Sequence, residues 1–190
     1  MQRVRGCLPR RPLDRYETPI HYLEALFHHG HPPAGARVLD ACVGDGAIAQ
    51  YLDMHYGGEI GVITNDIDKT RKADYHYDAR NAALYEKAKC DWWITNPPFS
   101  DIDEILRTAI THVTNVITLA RLSVLEPTQA RRAIYEWYQP DLLIVLPRYS
   151  FRTNDQGKKA TDSVTCAWVG FGPEVPRITT IWTAPPPEGE

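Results

Sequence analysis

The run Arg37-Val38-Leu39-Asp40 leads directly into Cys42-Val43-Gly44-Asp45-Gly46, after which Ile48, Ala49, Leu52 and Tyr56 recur at helical spacing. Strand, glycine turn and helix in that order leave the chain few options. Gly57-Gly58 stops the helix, and Ile60-Gly61-Val62-Ile63-Thr64 supplies a second buried strand ending in Asn65-Asp66-Ile67-Asp68. A strand that returns parallel to its predecessor has to cross over through such a helix, so the segment is a βαβ unit.

The alternation continues. A weak strand near Asp74 to Tyr77 precedes a helix around Ala82 to Lys89, and then Trp92-Trp93-Ile94-Thr95 reads as a fully buried strand. Further on, Ile102 to His112 is helical, Val116 to Ala120 extended, Pro127 to Tyr138 helical and Leu142 to Leu146 extended. From Pro147 the pattern changes. A polar loop, Arg148 to Asp162, is followed by Val164 to Phe171 and Arg177 to Trp182, which predicts a closing antiparallel hairpin at one sheet edge. Ahead of the βαβ unit, Thr18-Pro19 reads as a helix start, with Thr18 as N-cap and Pro19 in the first position; Ile20, Leu23, Leu26 and Phe27 follow, and the helix should end near Gly30. The expected architecture is α/β: a mostly parallel sheet with an antiparallel edge hairpin and helices on both faces.

At 190 residues and 43% hydrophobic, the chain can bury one sizeable core. The expected organisation is a basic arm over 1–15, a single domain over 16–183 and a disordered tail over 184–190, where Pro185-Pro186-Pro187 stands. No apolar run reaches membrane-spanning length, and the opening residues lack the apolar stretch of a secretory signal, so a soluble cytoplasmic protein is expected with no membrane partner. Cys7, Cys42, Cys90 and Cys166 are scattered without a Cys-x-x-Cys pair, and His28, His29 and His31 have no matching ligand spacing, so no metal is assigned. Charge is uneven: five arginines against Asp14 make residues 1–15 +4, leaving −7 of the net −3 on the remainder. An arm that touches phosphates and a solubilising tail both fit that asymmetry.

Three features stand at the carboxyl ends of successive strands: the glycine turn after Asp40, the acid Asp66, and the turn Asn96-Pro97-Pro98-Phe99. In an open parallel sheet those ends line one crevice. A glycine turn admits a ligand close to backbone, and an acid after the second strand can accept both hydroxyls of a ribose. Gly44-Asp45-Gly46 lacks the third glycine of a dinucleotide fingerprint, and Asp45 would set a negative charge where a pyrophosphate lies. A phosphate-free, cationic nucleoside such as S-adenosylmethionine suits an acid-lined pocket. In the last turn, two prolines fix the backbone and offer no N–H, leaving the Asn96 amide, the Pro97 carbonyl and the Phe99 ring to meet a flat, amino-bearing group.

In that order, Tyr16-Glu17-Thr18-Pro19, Val38-Leu39-Asp40-Ala41-Cys42-Val43-Gly44-Asp45-Gly46, Asn65-Asp66-Ile67-Asp68, His76-Tyr77-Asp78 and Asn96-Pro97-Pro98-Phe99 resemble the motifs of the class I S-adenosylmethionine-dependent N6-adenine DNA methyltransferases, in the γ arrangement, over residues 14 to 171. The resemblance implies a Rossmann-like sheet and a role for each position. Tyr16, Thr18 and Pro19 would contact the methionine end of the cofactor, Asp40, Cys42 and Gly44 the amino acid and nearby backbone, Asp66 the ribose, and Asp78 the adenine amino group. Asn96, with Pro97, Pro98 and Phe99, would form the catalytic turn, Asn96 lying between cofactor and target amine. Leu146-Pro147-Arg148-Tyr149-Ser150-Phe151 resembles a later loop that gives a second aromatic wall, from Phe151 or alternatively Tyr149, with Arg148 and Arg152 facing the substrate.

Recognition of a nucleic acid, DNA first and RNA as the alternative, would fall to the basic arm, the Arg148 to Lys159 loop, a second copy of the chain as a homodimer, or an accessory recognition subunit. Protein glutamine-amide methyltransferases resemble the same motif, usually with Tyr in place of Phe99. Cytosine-N4 enzymes usually show Ser where Asn96 stands. A degenerate, nucleic-acid-binding fold is a further alternative.

Overall fold

The computed structural model describes residues 17–148 and 164–182, together with the backbone of 152–153 and 159–160. The basic arm and the tail lie outside the described residues. The elements in chain order are α1 (Ile20–His28), β1 (Arg37–Asp40), α2 (Ala47–Tyr56), β2 (Gly61–Thr64), α3 (Ala82–Ala88), β3 (Trp92–Thr95), α4 (Ile102–His112), β4 (Asn115–Arg121), a 3-10 turn (Leu122–Leu125), α5 (Gln129–Tyr135), β5 (Leu142–Val145), β6 (Arg152–Thr153), β7 (Lys159–Ala160), β8 (Cys166–Phe171) and β9 (Ile178–Ile181).

Seven strands form one sheet in the order β2-β1-β3-β4-β8-β5-β9, and β6 pairs with β7 in a separate two-stranded ribbon. β1 pairs in parallel with both β2 and β3, and β3 in parallel with β4, while β8 runs antiparallel between β4 and β5. The antiparallel pairing expected after Pro147 is therefore made by β5 with β8. The Arg177 to Trp182 segment becomes β9, which lies parallel to β5 and forms the edge.

Helices cover both faces because adjacent strand residues point to opposite sides. Val38, Trp92, Ile94, Ile117 and Trp168 face the α1 and α2 layer, where they meet Tyr22, Leu26, Ile48 and Leu52. Leu39, Trp93, Val116 and Val169 face the other layer, where Leu84, Ile105, Leu106 and Ala109 of α3 and α4 close over them. Neighbouring Trp92 and Trp93 thus anchor two separate halves of the core, and truncating either to alanine removes about 3–5 kcal/mol of packing.

Two expected elements differ. The Asp74 to Tyr77 segment makes a single parallel bridge, Asn65 to Tyr75, in place of a strand. The cause is Asn65, fully buried, whose amide donates to the carbonyls of Ala41 (2.8 Å) and Tyr77 (3.0 Å) and accepts the Tyr77 N–H (2.8 Å). A side chain does there what a strand ladder would otherwise do. Helix α1 begins one residue later than expected: Pro19 is the N-cap, and Thr18 turns its hydroxyl elsewhere.

Candidate active site

The carboxyl ends of β1, β2 and β3 open into a cavity of about 580 Å³, within the roughly 300–1,000 Å³ range of small-molecule and cofactor sites. Its walls include Thr18, Asp40, Cys42, Gly44, Asp66, Asp78, Asn96, Pro97 and Pro98. Residues from five separated segments of sequence therefore meet in one crevice. Pro19 and Phe99 are not among the lining residues. Tyr16, Tyr149 and Phe151 lie outside the described residues, Arg152 is described only as backbone in β6, and Arg148 is exposed after β5.

Asp40 ends β1 with only 1% of its surface exposed. Thr95 Oγ1 donates to Asp40 Oδ1 at 2.6 Å, and the same Thr95 oxygen accepts the Cys42 N–H at 3.0 Å. Burial pushes the Asp40 carboxyl up to about 7, against the opposing pull of the Thr95 and Cys42 hydrogen bonds; the negative charge of Asp66 adds to the rise. Burial, followed by the charges of Asp40 and Asp66, also drives the Cys42 thiol well above its ordinary value, which disfavours the thiolate; Cys42 lines the cavity and its N–H goes to Thr95.

The glycine turn is shaped by its conformation. Gly44 has φ +54°, in the left-handed region, and a Cβ there would project into open space, so the turn presents bare backbone to the cavity. Gly44 N–H donates to Asp66 Oδ2 at 3.0 Å, and Asp68 N–H donates to Asp66 Oδ1 at 2.9 Å. Each carboxylate oxygen has capacity beyond one bond. Asp66 is held by the glycine turn on one side and by its own loop on the other, with its carboxylate on the cavity wall.

Arg80 takes Asp78 in a bidentate ion pair, with Nε at 2.9 Å from Oδ1 and Nη2 at 2.6 Å from Oδ2. That hydrogen bond holds the Asp78 carboxyl below the usual carboxylate range despite some desolvation. Arg71 similarly pairs with Asp45, joining the loop after β2 to the glycine turn. Two guanidinium groups thus offset part of the acidity of the pocket, and sequence spacing signalled neither pair.

At the end of β3, Asn96 Nδ2 donates to Thr18 Oγ1 at 3.1 Å, across 78 residues of sequence. Thr18 is buried and is used as an orienting acceptor, which explains why it does not cap α1. Pro98 closes the turn by accepting the Asp101 N–H at 3.1 Å at the start of α4. The Phe99 ring packs on the core and carries the Arg121 guanidinium, whose carbon lies 5.0 Å from the ring centroid.

A crevice at the carboxyl edge of a parallel sheet, with β8 reversed between β4 and β5, decides the fold. It is the class I methyltransferase fold. The structure is similar to the methyltransferase subunit of a type I restriction-modification system from Streptococcus thermophilus (TM-score 0.59, 14% identity, 84% of this chain and 45% of that one). It is also similar to TrmN from Thermus thermophilus (0.55, 20%, 82% and 49%) and to a dimethyladenosine transferase from Plasmodium falciparum (0.55, 14%, 84% and 63%). The chain spans about half the length of the first two. No family model and no curated protein matches it by sequence. Among the described residues of this methyltransferase fold, no three His, Cys, Asp or Glu side chains are grouped as metal ligands, and no helix is long and apolar enough to cross a membrane.

Proposed function

We propose that this chain is an S-adenosylmethionine-dependent methyltransferase acting on the exocyclic N6 amine of adenine in nucleic acid, with DNA as the first substrate. The observation that carries the reading is the position of Asn96: its amide, tethered by Thr18, stands on the wall of the same cavity as Asp40, Gly44, Asp66 and Asp78. The volume, the bare Gly44 backbone and the excess of carboxylates fit a phosphate-free cationic nucleoside.

When bound, that cofactor supplies an electrophilic methyl group. The chain's own residues supply position and hydrogen-bond acceptors. An adenine amine is a weak nucleophile because its lone pair is delocalised into the ring. Hydrogen bonds from the amine to Asn96 Oδ1 and the Pro97 carbonyl favour a pyramidal nitrogen and direct the lone pair outward. The Thr18 contact uses one Asn96 N–H and so fixes which edge of the amide carries the acceptor. Phe99 would present its ring to the base once the Arg121 guanidinium that lies over it moves aside, and stacking there would offset part of the few kcal/mol needed to take a base out of a duplex. An amide is not a practical base, so the proton leaves the nitrogen after methyl transfer.

The test offers cofactor carrying a radiolabelled methyl group to duplex DNA, single-stranded DNA, structured RNA and protein, then identifies the labelled product by mass. N6-methyladenine in DNA is the expected product. Label in RNA alone reassigns the polymer and keeps the chemistry, whereas label in protein alone refutes the nucleic-acid reading.

A further inference from the structure

We infer that Arg121 forms an anion subsite beside the catalytic turn and receives a backbone phosphate of the nucleic-acid substrate; this rests on the function proposed above. Arg121 is the last residue of β4, which pairs in parallel with β3 up to Thr95 opposite Thr118 and then runs three residues further, alongside the Asn96 turn. Its guanidinium is drawn over the Phe99 ring.

Among the half-buried arginines, Arg71, Arg121 and Arg131, Arg121 stands apart in having no carboxylate partner among the described residues. Arg71, Arg80, Arg131, Arg132 and Arg177 each pair with a carboxylate. Arg121 is half-buried, its Nε is shielded from solvent without a hydrogen-bond partner, and no carboxylate among the described residues pairs with it. Burying a guanidinium N–H without a partner is costly, and a cation–π contact recovers only part of that cost. An anion that draws the guanidinium off the ring would supply the missing partner, and the planar fork of arginine matches the oxygens of a phosphodiester.

Position separates this anion from the cofactor. The cavity draws on the ends of β2, β1 and β3 and on the start of α4, and Arg121 is not among its lining residues. Across the sheet the sequence runs Asp66 (after β2), Asp40 (β1), Asn96 (after β3) and then Arg121 (β4), so the guanidinium stands on the far side of the catalytic turn from the ribose acid. A base that takes the Phe99 ring displaces the Arg121 guanidinium from it and brings its own phosphodiester within one sugar of that side chain.

The experiment measures fluorescence anisotropy of a fluorescein-labelled single-stranded oligodeoxynucleotide with the full chain, as wild type, Arg121→Gln and Arg121→Lys, from about 50 to about 200 mM salt. In Arg121→Gln the affinity should fall about tenfold and the slope of log affinity against log salt should shrink by about 0.7, the share of one phosphate contact on a single strand; Arg121→Lys should keep the slope. Calorimetric affinity for the cofactor should stay within about twofold of wild type, since the residue lies outside that cavity. An unchanged slope in Arg121→Gln, or a slope lost equally in Arg121→Lys, overturns the subsite and leaves the proposed function standing. Equal loss of cofactor affinity overturns it by assigning Arg121 to the fold or to the cofactor. A wild-type chain that binds no oligonucleotide removes the nucleic-acid reading, and the subsite with it.

Discussion

The Thr95 hydroxyl joins the two halves of the candidate site by donating to Asp40 Oδ1 at 2.6 Å while accepting the Cys42 N–H at 3.0 Å. Thr95 directly precedes Asn96, so the end of β3 and the acid of β1 cannot shift independently. Replacing Thr95 with valine keeps the shape and removes the bond, leaving a buried carboxyl without its hydroxyl donor. A loss of about 1.5–3 kcal/mol of stability and at least tenfold weaker cofactor binding are expected. Thr95→Ser should restore most of both, as read by urea denaturation and calorimetry. A valine variant indistinguishable from wild type would remove the link.

The raised Asp40 carboxyl has a signed consequence for pH. Its value in the folded protein, about 7, lies above the ordinary carboxylate value of 3.8, so the folded state favours the protonated form. The stability this supplies is fully present below about pH 4 and is lost as pH rises toward and through about 7. Asp40→Asn cannot ionise, so its stability relative to wild type should improve between about pH 4 and about pH 7 and level off above that, as read in denaturation midpoints. A pH-independent difference between the two proteins would contradict the buried acid.

Asp66 faces the backbone and the cavity with the same carboxylate. Its carboxylate accepts N–H groups from Gly44 and Asp68 and also lines the cavity. Asp66→Ala should weaken cofactor binding at least tenfold through loss of the ribose acceptor and loosening of the glycine turn; Asp66→Asn, which keeps one acceptor oxygen, should fall between alanine and wild type. Calorimetry reads both, and unchanged affinity in the alanine variant would refute the ribose assignment.

Asn96 is expected to act on chemistry more than on binding. Under the proposed function Asn96→Ala removes the acceptor assigned to the target amine, so methyl transfer should drop by about 10²–10³ or more, with cofactor affinity within a few-fold of wild type. Single-turnover transfer measured beside calorimetry separates the two effects. Retained turnover would take Asn96 out of the mechanism.

How much of this was legible in the sequence depends on the range of the signal. The glycine turn, the buried strands and the Asn96 turn are local patterns, set by spacing within a few residues, and they fall at the ends of β1, β2 and β3 as a parallel sheet requires. What escaped depends on pairs distant in sequence. Thr95 reads as one more residue of an apolar strand, and its link to Asp40 spans 55 residues. Asn65 replaces a strand ladder with side-chain bonds, which no periodicity reveals. Thr18 looked like a helix cap because Thr-Pro favours one; the structure gives the hydroxyl to Asn96. The arginines on Asp78, Asp45 and Phe99 carry charge patterns that sequence spacing alone leaves open.

Helix α1 is fastened from the other end of the chain: Tyr22 Oη donates to the Pro147 carbonyl at 2.7 Å, and Trp168 Nε1 donates to the Tyr22 carbonyl at 2.7 Å, across 125 and 146 residues. On a ribosome, the segment that brings Thr18 to Asn96 emerges early, yet two of the bonds that hold it wait for Pro147 and Trp168 to be synthesised. Nascent chains halted before Trp168 would carry nearly every motif yet lack the indole that clamps α1 to the sheet, so the fastening of α1 is completed late in translation.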